Sequence, residues 1–150
     1  MIKKSLIVAS LLLVGTSALS SDKIDVGIQT TSIIDTVFIG QTTNNVRIEG
    51  SLSYLKIKYD GEDTKVQTIG VGIFKINPIS DTVKTYIGAR VTKITIGSES
   101  GTMLNPLVGV DYYPAPEISY GIDAGYYKTS GMDGFELSGI KTGINFKYHF

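Results

Sequence analysis

From Ile140 to Phe150 the chain alternates without a break. Ile140, Thr142, Ile144, Phe146, Tyr148 and Phe150 fall on one side, and Lys141, Gly143, Asn145, Lys147 and His149 on the other. A period of two sends successive side chains to opposite faces of a β-strand, so this segment is not a helix. The same alternation runs backwards through the chain. Ile118, Tyr120, Ile122, Ala124 and Tyr126 oppose Ser119, Gly121, Asp123, Gly125 and Tyr127. Leu104–Tyr113, Val83–Thr92, Thr68–Phe74, Val46–Tyr54 and Ile24–Gln29 repeat the pattern. No segment after Ser21 holds an apolar stripe at helical spacing, so the chain reads as all-β.

The strands are punctuated by two kinds of turn. Thr42–Asn45, Asn77–Asp81 and Pro114–Glu117 are compact and rich in Pro, Asn or Asp. Asp60–Asp63, Ser98–Gly101 and Ser130–Gly134 are more charged and Gly-rich. Strands that follow a compact turn begin near Val46, Val83 and Ile118, spacings of 37 and 35 residues. This is a repeating hairpin, and it makes eight strands if Ile33–Gln41 is the second. Ile34, Val37, Phe38 and Ile39 do not alternate cleanly, and without that strand the number is seven. Seven strands would leave the chain ends on opposite sides of a membrane, an arrangement exported single-chain barrels avoid.

Residues 1–20 are set apart as a leader. Lys3 and Lys4 precede the apolar run Leu6–Gly15, which ends in the small residues Thr16–Ser20. This is the pattern of a secretory signal peptide, with cleavage after Ala18 or Ser20. The run is too short to span a bilayer, which takes about 20 residues. The other reading is a buried N-terminal helix or a retained anchor. No cysteine follows, so a lipid-anchored lipoprotein is excluded. Residues 21–150 then form one exported domain with 12 basic and 14 acidic side chains.

Composition removes whole classes of chemistry. With no cysteine there is no disulfide framework, thiol nucleophile or cysteine-based metal site, and no cofactor is expected. A single histidine, His149, excludes multi-histidine metal sites and speaks against a histidine-based triad. The balanced charge supplies no field to attract nucleic acid.

Alternation alone also fits a soluble sandwich. Two features favour lipid. The polar face carries glycines and charges of both signs: Asp25, Arg47, Glu49, Lys84, Arg90, Asp111, Asp123, Lys141 and Lys147. The apolar face carries aromatics near strand ends, with Tyr112, Tyr120, Tyr148 and Phe150 beside the compact turns and Tyr54 and Tyr126 toward the other ends. Aromatic girdles at both rims of an apolar band mark a transmembrane barrel. A one-residue slip in the last strand would aim Lys141 and Lys147 at lipid, about 2–4 kcal/mol each at the midplane, so register is strongly specified. The expected interior is closed by a charge network of Arg47, Glu49, Lys84, Arg90, Asp111, Asp123, Lys141 and Lys147, whose partners parity cannot assign.

The final segment, Gly143 to Phe150, resembles the C-terminal signature of bacterial outer-membrane barrels: a terminal Phe, an aromatic two places earlier and alternating apolar residues before it. The mature chain resembles the small eight-stranded OmpA/OmpX-like barrels, although Thr31–Asn45 is less regular than their first hairpin. The resemblance implies an antiparallel up-and-down barrel in the outer membrane, surrounded by lipid and monomeric. It also implies that Ile144, Phe146, Tyr148 and Phe150 are read by the barrel-assembly machinery after delivery by periplasmic chaperones. No peptidoglycan-binding domain is expected beyond Phe150.

For function, the expectation is a structural or surface-interaction role without enzymatic activity. A minor porin is the alternative, disfavoured because eight strands enclose little more than side chains and the inward Phe74, Tyr86, Arg90, Tyr113 and Tyr127 are bulky. A lipid-modifying enzyme is the third reading, disfavoured because His149 lies at the inner rim, away from any outer-leaflet substrate. In the third strand the apolar side changes at Tyr54-Leu55, so that Lys56–Gln67 reads as a hairpin standing above the bilayer.

Overall fold

The computed structural model describes residues 23–31, 34–59, 62–132 and 136–150. The leader and the segment Ser21-Asp22 lie outside them.

Eight strands follow one another: β1 (Lys23–Thr31), β2 (Thr36–Thr43), β3 (Val46–Tyr59), β4 (Glu62–Pro78), β5 (Val83–Ile96), β6 (Glu99–Ala115), β7 (Ile118–Ser130) and β8 (Ser138–His149). Each pairs antiparallel with the next, and β1 closes onto β8 through the register Asp25↔His149 to Thr31↔Gly143. Closure satisfies the backbone within the protein and leaves no sheet edge inside a membrane. The start of β1 and the end of β8 come to one rim, where the Phe150 amide donates to the Ile24 carbonyl at 2.8 Å.

Strands open where expected after two of the compact turns, at Val83 and Ile118, and Val46 opens β3. The turn before Val46 is only Asn44-Asn45, both with positive φ (49° and 62°), a conformation asparagine tolerates and one that suits tight hairpins. Two expectations shift. The second strand begins at Thr36 rather than Ile33, and alternation returns inside it, with Phe38 buried between the outward Val37 and Ile39. The expected turn Ser98–Gly101 sits instead at Gly97-Ser98, because Gly97 supplies the positive φ of 60° and releases Ser100 and Gly101 to pair in β6. The tips of the Asp60–Asp63 and Ser130–Gly134 turns fall on residues outside those described.

The two faces differ in kind. Ile140 and Phe150 are 78% and 73% exposed, whereas Lys147 and Asp111 are each 1% exposed. Outward apolar residues band the whole barrel, among them Ile28, Val37, Ile48, Ile69, Val71, Ile73, Ile87, Val91, Leu104, Val108, Ile122 and Ile144. An apolar exterior around a charged interior inverts a soluble protein, and it is stable only in hydrocarbon.

The polarity change at Tyr54-Leu55 is not a change of register. β3 and β4 pair residue for residue from Val46↔Lys75 to Tyr59↔Glu62. What changes is the solvent. Tyr54 and Lys56 share the outward side, and Leu55 is half-buried on the inward side. A polar outward face over a half-buried Leu55 is the pattern expected where water rather than lipid meets the strand.

Candidate functional site in the lumen

Parity on each strand sends one polar set inward, and glycines on neighbouring strands make room for it. Gly88 accepts Phe74, Gly109 accepts Tyr86, and Gly40 accepts Asp25. A Cβ at Gly88 would come within 2.0 Å of the Ile73 carbonyl oxygen and 2.7 Å of Phe74. Phe74 and Tyr86 meet edge to face, ring centroids 5.9 Å apart, and form an apolar post beside the charges.

Around that post the charges form two linked groups. In the first, Arg90 of β5 is the hub. Its Nε donates to Glu49 Oε1 at 3.0 Å, one terminal nitrogen donates to the same oxygen, and the other donates to Gln29 Oε1 at 3.1 Å. Gln29 then donates through Nε2 to Asp123, which also accepts from the Tyr86 hydroxyl at 3.2 Å and from Asn145 Nδ2 at 3.4 Å. Asn145 Nδ2 reaches the Tyr86 hydroxyl as well, at 3.2 Å. Nearer the rim of the chain ends, Arg47 lies between Glu49 Oε2 (3.5 Å) and Asp111 Oδ2 (3.7 Å), and Lys147 donates to Asp111. The Arg47 guanidinium also sits 5.0 Å from the Phe74 centroid and 4.9 Å from that of Tyr86. Such contacts offset part of the cost of removing the ion from water.

The rim itself is capped by stacking. Lys84 Nζ lies 4.4 Å over the Tyr113 ring, Tyr113 stacks on His149 at 5.1 Å, and His149 Nε2 is 2.9 Å from Ser119 Oγ. A Ser–His contact alone is not a catalytic site. Ser119 is wholly buried, so no substrate reaches its hydroxyl.

The sequence-derived residues are thus placed as follows. Arg47, Glu49, Arg90, Asp111 and Lys147 join in one ionic cluster. Asp123 is tied to it through Gln29, and Lys84 sits at the rim. Lys141 is buried but has no carboxylate within ion-pair distance among the described residues. Tyr54, Tyr112, Tyr120, Tyr126, Tyr148 and Phe150 all face outward. Ile144, Phe146, Tyr148 and Phe150 share that outer face of the closing strand, with Phe146 against Tyr120 (5.4 Å) and Tyr148 against Phe150 (4.9 Å). Sequence reasoning did not single out Gln29, Tyr86 and Asn145 as bridges. Their inward parity was the available signal.

These features define a small eight-stranded transmembrane β-barrel of the outer-membrane type, with a lumen filled by side chains. Solved structures share the fold. Neisserial surface protein A matches with a TM-score of 0.64 at 18% identity, over 86% of this chain and 94% of that one. Outer membrane protein H from P. aeruginosa matches at 0.66 and 14%, over 87% and 100%. Ail, the attachment invasion locus protein of Yersinia pestis, matches at 0.51 and 19%, over 86% and 97%. No family model matches the chain, and no curated protein matches it in sequence.

Proposed function

We propose that this is an exported, non-enzymatic, non-conducting outer-membrane barrel that serves as a scaffold for its surface hairpin. The observation that carries the reading is the Arg90–Glu49–Arg47–Asp111–Lys147 cluster, which crosses the lumen between β3, β5, β6 and β8. Side chains already bound to one another across so narrow an interior leave no path for solutes. The surface role is supported by the β3–β4 hairpin: β3 pairs with β2 only as far as Ser53, yet with β4 as far as Tyr59. Residues 1–20 act as the export signal. Ile144, Phe146, Tyr148 and Phe150 act as the assembly signal, read by the barrel-assembly machinery after chaperone delivery. The inserted protein is a monomer.

Cell fractionation and planar-bilayer recording test this together. The protein is expected in the outer-membrane fraction, and the purified barrel is expected to show no large, steady conductance. Stable channels of porin size would overturn the closed-lumen reading.

A further inference from the structure

The lipid-facing side of the barrel is not evenly filled. Two outward cross-strand rows run side by side from β4 to β7. One passes from Lys75 through Ile87 and Val108 to Ala124, and the other from Asn77 through Thr85 and Val110 to Ile122. Between them run the backbones of Tyr86, Gly109 and Asp123, with the Tyr86 and Asp123 side chains turned into the lumen. A groove of about 910 Å³ follows these rows, walled mostly by aliphatic side chains. That is within the range of ligand sites, about 300–1,000 Å³.

At the rim of the compact turns the groove meets a second hollow of about 420 Å³, and Asn77 lines both. Asn44 and Asn45 of the β2–β3 turn, with Lys75 and Asn77 of β4, bring three amides and an ammonium to that hollow. Lys75 stands exposed just where the outward apolar run Ile69, Val71 and Ile73 ends. Among the described residues its ammonium makes no ion pair, and the three asparagine amides make no side-chain hydrogen bond. The aromatic girdle leaves this stretch open. On this rim Tyr112, Tyr120, Tyr148 and Phe150 belong to β6, β7 and β8 and to the residue after it, and among the described residues β3, β4 and β5 turn no aromatic outward there.

Given the outer-membrane placement proposed above, this rim meets the periplasmic leaflet, which is built of glycerophospholipid. We propose that one diacyl phospholipid of that leaflet binds here. Lys75 and the amides of Asn44, Asn45 and Asn77 hold its phosphodiester, and one acyl chain lies along the groove past Ala124. A basic side chain without a carboxylate partner attracts the phosphate charge, and amide N–H groups donate to its oxygens. Ala124 has the smallest side chain in either row and keeps the groove open beside Ile122.

The test uses the purified barrel in maltoside micelles, which carry no phosphate, doped with dioleoyl phosphatidylglycerol. Retained lipid is counted by native mass spectrometry. Wild type is expected to hold one phospholipid saturably and to hold no dioleoylglycerol, which has the same chains without the phosphate. Lys75→Gln is expected to weaken retention about fivefold. Ala124→Leu, which adds bulk only on the lipid side, is expected to weaken it as well. Both positions face outward, so the lumen packing is untouched and the variants fold. Lys93→Gln, at an exposed lysine of β5 away from this rim, is expected to change nothing. Equal losses in Lys75→Gln and Lys93→Gln would overturn the proposal, leaving only general attraction to charge. Full retention in Ala124→Leu would overturn it too, because the groove would then be idle. A barrel found in the outer-membrane fraction that retains no lipid overturns this inference alone, whereas recovery as a soluble protein removes the membrane reading itself.

Discussion

The ring of Tyr86 lies over Gly109, its cross-strand partner on β6. A Cβ at Gly109 would come within 2.3 Å of Tyr86 Cζ and 2.4 Å of its hydroxyl oxygen. The ring cannot simply turn away, because that hydroxyl is bonded to Asp123 and Asn145. Gly109→Ala is therefore expected to destabilise the barrel by about 1–3 kcal/mol, the usual range for overpacking. Gly50→Ala is the control, since a Cβ there meets nothing within 4 Å. Denaturant unfolding in micelles, followed by circular dichroism, compares the two; equal midpoints would refute the packing argument.

Arg90 and Glu49 make a second test. Removing Glu49 leaves Arg90 buried without a carboxylate, a loss typically of about 3–5 kcal/mol, and removing Arg90 leaves Glu49 with Arg47 alone, at 3.5 Å. Single substitutions Arg90→Ala and Glu49→Ala are expected to lower the unfolding midpoint clearly. The double substitution Arg90→Met with Glu49→Leu is expected to cost less than the two single losses combined, because no unpaired charge remains. Val71→Ile, on the lipid-facing side, is expected to change almost nothing. A double-mutant cycle with no coupling would remove the ion pair from the account.

Assembly is separable from stability. Deleting Phe150, or replacing Phe150 and Tyr148 with serine, is expected to reduce the amount reaching the outer membrane far more than replacing Lys147 or His149. The first pair faces outward at 73% and 43% exposure, and the second pair lies inside. The readout is the inserted fraction in cells, scored by the different gel migration of boiled and unboiled samples. Equal insertion of truncated and full-length chains would contradict the assignment.

The leader is checked by mass. The membrane-inserted protein is expected to begin at Leu19 or Ser21, following cleavage after Ala18 or Ser20. A mature protein that still carries Lys3 and Lys4 would show that the apolar run is retained.

Much of this architecture is readable from the parity of side chains. Isoleucine at 69 and 73 with valine at 71 requires an outward apolar face, so Gly70, Gly72 and Phe74, which alternate with them, must turn inward. Three strand starts are likewise marked, at Val46, Val83 and Ile118. Parity names a face but not a height or an angle around the barrel. Lys84 and Lys147 both point inward, yet one stacks on a rim tyrosine and the other reaches Asp111. The tilt and stagger of strands decide such pairings, and these belong to the closed sheet rather than to any one strand. The bridging role of Gln29, neutral and unremarkable in sequence, exists only because closure carries β1 round to face β5.

That closure has a consequence for how the protein comes into being. On one side Asp25 pairs with Gly40 of the next strand, but on the other its neighbour is His149, at the far end of the chain. An N-terminal portion ending anywhere before β8 would present two unpaired strand flanks, ready to join any similar flank it met. The polypeptide must therefore be kept apart from its fellows until the whole of it has been delivered, and insertion is expected to be an all-or-none event with no partly built barrel tolerated in the membrane.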